Sequence, residues 1–496
     1  MTVSVQQVTQ KEQPLTQQDM PLYNALQCYA KSDPTPFDVP GHKMGAQPSP
    51  LNNMMGNALR FDVNSMKELD LLSHPQSVIK EAQLLAANAF GADEAFFLVN
   101  GTTVGILAMI MATCAPGDEL LVPRNGHKSV MDGIILSGAK PVFIQPEVDL
   151  HFGIAHGLSL TAIQQTIAQH PNAKVLLLTY PTYFGAMSEL SQICELAHAH
   201  QMTVIVDSAH GAHIGFMTGY EDALACGADA VTTSMHKTAG SLTQSSLLLM
   251  QSKRISKEKM QKVLGMLQST SASYLLMGSL DIARRELALF AKPRYASLKP
   301  LIQQAIQQIE EGGHYEVLTA KYLKEKFAQQ HDFTKLVIRV NRLGLTGFEV
   351  YTLLKENYHI QMELAEGYVV MAVITMGDAE PSIQKLVHAL QDIEQKYAKG
   401  MTVLSLRVTP STMNELVLLP REAYYAEHDT LAIDEAMGRV SADTLMIYPP
   451  GIPLVIPGET ITADVISQYH YYNKTIGNVL METSVKHHIT VVKEHA

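Results

Sequence analysis

A lysine that follows a buried apolar run is costly to keep, and Lys237 stands in such a place. It closes Ser234-Met235-His236-Lys237, after the run Asp229-Ala-Val-Thr-Thr233 and before the small residues Thr238-Ala239-Gly240-Ser241. A charged amine loses hydration when buried, so Lys237 is either an ordinary rim residue or an amine kept there for Schiff-base chemistry with a carbonyl. A second run, Val204-Ile205-Val206, delivers Asp207 and continues as Ser208-Ala209-His210-Gly211. An amine and a carboxylate at two strand ends are what pyridoxal phosphate (PLP) needs. The amine holds it covalently, and the carboxylate keeps the pyridine nitrogen protonated so that the ring accepts electrons.

Strands alternating with helices must position such a pair. A helix from Ser77 ends at Gly91, and the strand 95–99 leads into Asn100-Gly-Thr102-Thr103-Val-Gly105 and a helix over 106–113. N–H groups and hydroxyls converging at a helix start either hold a phosphate or simply cap the helix. The pattern repeats with a strand at 120–122, the loop Pro123-Arg-Asn-Gly-His127-Lys128, a helix from Ser129 and a strand at 141–144. It continues with a helix at 160–168, a strand at 173–179, a helix at 190–200 and a strand at 203–207. Continuous apolar strands separated by helices predict a parallel sheet covered on both faces, with ligands at the carboxyl ends of its strands. Thr102, His127, Tyr180, Asp207 and Lys237 all fall at or just past those ends.

Two helical stretches follow, 254–267 and 275–290, parted by the polar Gln268-Ser-Thr-Ser-Ala-Ser273. A smaller α/β unit comes next: a strand at 335–340, a helix at 348–355, a strand at 368–375 and a helix at 381–397. Beyond residue 401 the prolines around 420 and 448–459 force an extended path and exclude a long helix there. Residues 1–20 form a Gln-rich polar arm. The loop 34–45 carries His42 and Lys43, which either decorate a surface loop or approach an anionic cofactor.

Composition narrows the function classes. The 496 residues carry 37 basic and 48 acidic side chains, a net charge of −11, with 46% hydrophobic content. That balance speaks against non-specific binding to nucleic acid or to an anionic membrane. Cys28, Cys114, Cys194 and Cys226 show no paired spacing, so neither a zinc ribbon nor a disulfide framework is expected, and a reducing cytoplasm fits. The N-terminus lacks a basic start with an apolar core, and no apolar stretch is long enough to span a bilayer. His210 and His213 have a spacing that invites a metal, but no third ligand is placed near them, so none is expected.

The set Ser-Met-His-Lys237, Val-Asp207-Ser-Ala-His-Gly-Ala-His213 and Arg-Asn-Gly-His127-Lys-Ser resembles the bacterial Orn/Lys/Arg decarboxylases. These are PLP enzymes of the aspartate-aminotransferase fold (fold type I). Pro-Gly-His42-Lys43, Asn-Gly-Thr102-Thr103, Asp281-Ile-Ala-Arg-Arg285 and the stretch from Tyr448 to Glu459 extend the likeness over about 20–480, and Ser208 and Ile106 depart from it. The chain looks like the short branch, without a preceding wing. The resemblance implies an α/β fold with four parts: an N-terminal arm (1–55), a PLP-binding large domain (56–300), a small α/β domain (301–400) and a C-terminal decarboxylase-type domain (401–496).

It further implies that Lys237 carries PLP and Asp207 partners the ring nitrogen. His127 stacks on the ring, unless it is only a loop histidine bonded to backbone, and Ala209 packs the other face. Thr102, Thr103, Ser234 and His236 surround the phosphate, and Lys237 or His236 returns the proton once CO₂ has left. The expected substrate is a basic amino acid, arginine before lysine or ornithine, its cationic end met by Asp70 or Glu459. An aminotransferase would share the cofactor residues. The family also implies a homodimer or higher homo-oligomer with shared sites, in which Thr270 reaches the partner's cofactor phosphate.

Overall fold

Seven apolar runs build the central sheet of the computed structural model, which describes residues 14–398, 403–404, 413–447, 452–475, 479–481, 483 and 485–494. Residues 1–13 of the arm and 448–451 of the proline-dense tail lie outside that set. The strands are β1 (Glu94–Leu98), β2 (Glu119–Pro123), β3 (Lys140–Ile144), β4 (Val175–Thr179), β5 (Thr203–Asp207), β6 (Ala230–Thr233) and β7 (Ser246–Met250). Their order is β1-β7-β6-β5-β4-β2-β3. Every neighbouring pair is parallel except those of β7, which runs opposite to both β1 and β6.

The strands read as unbroken apolar runs because both faces are covered. Leu121, Leu176, Val204 and Val206 point into one core cluster. Their neighbours Leu120, Val122, Leu177 and Ile205 point into the other. An alternating polar face is therefore absent, as a sheet between two helical layers requires.

Helix Tyr274–Glu310 departs from the sequence expectation, which stops it at 290. It runs 37 residues, straight through Pro293 and Pro300. An interior proline costs about 3 kcal/mol or more. Against that, Ala291, Tyr295, Leu298, Ile302, Ala305 and Ile309 are all buried at helical spacing. Each large apolar side chain among them contributes about 1.5–3 kcal/mol, so the stripe outweighs the breakers. Near its start, Asp281 pairs with Arg284 at 2.6 Å and accepts the N–H of Leu22 at 3.0 Å, which seats helix Pro21–Lys31 against the sheet's helical layer.

The second sheet is antiparallel, formed by β8 (Glu316–Val317), β9 (Lys335–Arg339), β10 (Leu364–Ala365) and β11 (Val369–Val373) in the order β8-β9-β11-β10. Helices Gly347–Tyr358 and Glu380–Tyr397 accompany it, and Leu336, Ile338, Leu354 and Leu390 join the core of the long helix.

A buried ion pair helps fasten the C-terminal residues to the main sheet. Arg124, just past β2, gives a hydrogen bond from each terminal nitrogen to Glu459, at 2.6 and 2.8 Å. Both side chains are essentially inaccessible. Glu459 also accepts from the Ile456 N–H and the Asn414 amide. Removing one partner of a buried pair strands the other charge, at a cost of about 3–5 kcal/mol. Glu459→Ala is therefore expected to lower the melting temperature and expose residues beyond 413 to limited proteolysis, and unchanged proteolysis would show the pair to be dispensable.

Candidate active site

The carboxyl ends of β1, β2, β4, β5 and β6 open onto one cleft, with about 730 Å³ of empty space including its solvent-open mouth, walled by Thr102, His127, Pro181, Asp207, Ala209 and Lys237 among others. The β5–β6 ladder sets Asp207 opposite Thr232. The chain then turns through helix Met235–Thr238, which delivers Lys237 beside that carboxylate. Asp207 is only 4% exposed, and its Oδ1 accepts the Ala209 N–H at 3.0 Å. Lys237 Nζ lies 3.0 Å from His210 Nε2. Burial holds the Lys237 pKa below the ordinary lysine value, while the charges of Asp207 and Glu363 pull the other way.

At the other end of the cavity, Thr102 Oγ and Ser234 Oγ stand 3.1 Å apart at the start of helix Gly101–Thr113. Unpaired N–H groups and the positive end of the helix dipole make that corner suited to an anion. The helix can lie this close to β6 because residue 105 is glycine: a Cβ there would sit 2.1 Å from the Thr232 hydroxyl oxygen. Thr103 is on the same first turn, exposed.

His127 is bonded to backbone, as one sequence reading has it, and it also faces the cavity. Its Nδ1 accepts the Ser129 N–H at 3.2 Å, capping helix Lys128–Ser137, while its ring walls the cavity. A neutral ring that accepts at Nδ1 carries its proton on Nε2. The surrounding protein desolvates the ring and lowers its pKa, with Asp207 acting against this and Lys237 with it. His236 is locked the other way round, its Nδ1–H donating to the Ser245 carbonyl at 2.9 Å. Burial lowers its pKa, opposed by that bond.

Four of the five rim residues read from the sequence line the cavity. Tyr180 does not: it is 5% exposed and its hydroxyl donates to the Glu221 carbonyl at 3.1 Å, leaving Pro181, Thr182, Tyr183 and Phe184 to form the wall. Asp70 and Glu459, expected at the substrate's cationic end, stand elsewhere. Asp70 accepts N–H groups of Leu71, Gln76, Ser77 and Ile79 and so organises the start of helix Val78–Phe90, and Glu459 is occupied by Arg124. Thr270 is exposed in a separate groove with Ser73, Gln83 and Gln268.

His42 pairs with Asp62 at 3.0 Å, and Lys43 donates to the Asp38 carbonyl. His213 bonds Thr334 and Asp332. Among the described residues no group of His, Cys, Asp and Glu side chains is arranged to hold a metal. Sequence reasoning missed His210, Tyr183, Glu363 and Lys335. A local signal was present for Tyr183 and His210, since Pro181-Thr-Tyr-Phe184 and Ser208-Ala-His210 lie just past strand ends; nothing local marks Glu363 or Lys335.

A mostly parallel sheet that brings a lysine, a carboxylate and a hydroxyl-lined helix start to one edge is the architecture of fold type I. Residues 20–382 match the Orn/Lys/Arg decarboxylase major domain and residues 406–479 the C-terminal domain of the same enzymes. The chain belongs to the Orn/Lys/Arg decarboxylase family and is an amino-acid decarboxylase. It is 42% identical over 486 residues to the arginine decarboxylase of Bacillus subtilis, covering 97% of this chain and 99% of that one. The solved structure of the Escherichia coli constitutive lysine decarboxylase superposes with a TM-score of 0.79 at 20% identity, over 96% of this chain and 82% of that chain. The Sphingomonas wittichii serine palmitoyltransferase matches with a TM-score of 0.52 at 14% identity, over 65% of this chain and 77% of its own.

Asp207→Asn keeps the oxygen that accepts the Ala209 N–H and loses only the charge. Decarboxylation is expected to fall by about a hundredfold or more, the scale seen when one well-placed electrostatic group is removed. The circular dichroism spectrum should stay that of the parent. Turnover near the parental rate would remove Asp207 from the chemistry.

Proposed function

We propose that this chain decarboxylates L-arginine to agmatine with PLP as cofactor. The observation that carries the substrate is the full-length likeness to an arginine decarboxylase at 42% identity. The donor set supports the cofactor. Thr102, Thr103, Ser234, His236 and the helix start suit a phosphate, His127 offers a flat neighbour and Ala209 a small one, and Asp207 offers a buried carboxylate for a ring nitrogen. When bound, PLP supplies the sink for the electron pair left as the carboxylate departs.

The chain's own groups do the rest. Lys237 Nζ is the covalent anchor and an amine able to return a proton to the substrate Cα. His236 is the second candidate, because its Nδ1–H is committed to Ser245 and its Nε2 is the basic nitrogen. The substrate's guanidinium calls for a carboxylate near the cavity mouth, and Glu363 fits that need better than Asp70 or Glu459. It accepts the Tyr183 hydroxyl at 2.8 Å, Tyr183 walls the cavity, and its charge is felt at Lys237.

Assembly as a homodimer is part of the proposal. Phe37, Val39 and Met54 are 94%, 60% and 81% exposed near the N-terminus, apolar surface that a second copy would cover. Thr270 would then reach the partner's cofactor phosphate from its exposed segment. The four free cysteines fit a reducing cytoplasm, and an amine product fits a place in polyamine biosynthesis.

Two experiments test this reading. Purified protein given PLP is expected to release CO₂ from arginine faster than from lysine or ornithine, and Lys237→Ala to abolish it; a keto acid instead of agmatine would point to transamination. In the same assay Glu363→Gln should raise KM for arginine about tenfold or more, as loss of a charged hydrogen-bond partner does, with a smaller change in kcat. For assembly, subunits inactivated at Lys237 are mixed with subunits altered at Thr270. Activity regained on exchange supports a shared site, and no recovery in any mixture sinks it.

A further inference from the structure

The loop after β4 and the bend before β10 are joined beside the cleft by a bond between Tyr183 and Glu363. The loop is a tight turn. The Gly185 N–H donates to the Thr182 carbonyl at 2.9 Å, and the Thr182 N–H donates to the Ala186 carbonyl at 2.8 Å. Gly185 takes φ of +84°, which suits glycine and leaves Tyr183 and Phe184 at the tip. The second domain pins the turn as well, because Ala186 pairs with His331 and the Gly185 carbonyl accepts the Asp332 N–H at 2.8 Å. At the tip, the Tyr183 ring packs edge-on to His210, with centroids 4.5 Å apart, and lies 6.0 Å from Phe184. A ring so placed on so short a turn has little freedom.

Glu363 reaches the same place from the second sheet. Its neighbours Met362 and Leu364 are 3% and 1% exposed, and its own N–H donates to the Met371 carbonyl at 2.9 Å. Side chains alternate along extended chain, so Glu363 points away from the core that takes Met362 and Leu364, and it is exposed. Its backbone is thereby fixed, whereas an exposed carboxylate on a flexible stem is not. The Tyr183 hydroxyl supplies the missing constraint by donating to Glu363 Oε1 at 2.8 Å. That bond occupies one lone pair of Oε1, and each carboxylate oxygen keeps an accepting direction for a ligand.

We propose that Tyr183 is a positioning residue that sets substrate preference: its hydroxyl fixes the plane of the Glu363 carboxylate, so that the carboxylate meets a guanidinium with two parallel hydrogen bonds and favours arginine over substrates ending in an ammonium. A guanidinium presents its donors in a rigid planar fork, and the fork pairs fully only with a carboxylate held in its own plane. An ammonium is a compact charge with rotatable donors, which a carboxylate meets in many orientations. Ordering the carboxylate before the substrate arrives therefore lowers the cost of binding arginine and does much less for lysine or ornithine.

The inference rests on Glu363 meeting the substrate's cationic end, and the two are separable: Glu363→Gln tests the contact and Tyr183→Phe tests its positioning. Tyr183→Phe keeps the ring against His210 and deletes only the hydroxyl. In the full-length enzyme given PLP, KM for arginine is expected to rise about tenfold with a much smaller change in kcat, while KM for lysine rises no more than about twofold. Calorimetric titration reads the same contrast without turnover. Agmatine, which carries the guanidinium, should bind the variant about tenfold more weakly, and cadaverine, which ends in an ammonium, should lose much less. In a Glu363→Gln background the same substitution should add little, because the two side chains act as one unit.

An unchanged KM for arginine in Tyr183→Phe overturns the proposal, and so do equal losses for arginine and lysine. A full effect in the Glu363→Gln background overturns it too, since the hydroxyl would then act without the carboxylate. If Glu363→Gln raises KM for arginine and Tyr183→Phe does not, only the positioning role falls; if Glu363→Gln leaves KM unchanged, the contact falls and the proposal with it. Should Tyr183→Phe fail to fold, Glu363→Asp decides. It keeps the charge but draws it back from the hydroxyl, so the preference for arginine over lysine is expected to shrink, and an unchanged preference refutes the role of the bond.

Discussion

The parallel ladder between β5 and β6 decides where chemistry can happen in this protein. Strands buried on both faces have no room for charge along their length, so polar groups collect where the hydrogen-bonded ladder stops. Registering Asp207 against Thr232 places a carboxylate at that limit and lets one helical turn bring Lys237 to its side. The remaining walls follow from the same edge, with the turn after β1 giving Thr102 and the turn after β2 giving His127. A shift of register by one residue would turn Asp207 into a core cluster and leave Lys237 without its counter-charge.

Much of this edge was legible in the sequence because it is local. β5 ends in its functional residue, and Thr102, His127 and Lys237 follow their strands by a few residues, so an apolar run followed by a polar side chain announces both element and site. β5 was read with its observed limits, and β4 and β6 nearly so. β7 escaped because Ser246–Met250, though as long as the other strands, follows a polar turn and is an unbroken apolar run with no periodicity to separate strand from helix. The long helix was cut short at Phe290 because prolines are read as local breakers, whereas a buried stripe supplied by the second sheet keeps it intact. Lys335 and Glu363 were unreadable for a similar reason: they come from a distant strand and from the bend before another, and a lysine in an apolar strand pattern carries no sign of what it faces.

The same contrast separates the two kinds of carboxylate in the chain. Asp70 and Glu459 sit in motif-like stretches and attract a functional reading, yet both are saturated by internal donors. Asp207 keeps one oxygen engaged and its charge directed toward the cavity. Glu363, in a stretch without any motif, shares a hydrogen bond with a wall residue. For a buried acid, the number of donors already attached is a better guide to its role than the motif around it.

The bond between Arg124 and Glu459 has a bearing on how this architecture can be inherited. Arg124 leaves β2 only a few residues ahead of His127, so the loop that shapes the cavity wall is anchored by residues from the far end of the chain. The cavity-lining Thr102, His127, Asp207, Ala209 and Lys237 all precede 240, but a gene ending before Glu459 would encode them around a naked cation in a dry interior. The C-terminal region is thus not a module that can be shed or exchanged freely. Any lineage that replaced it had to supply a carboxylate at the same spot or give up the arginine in the same step.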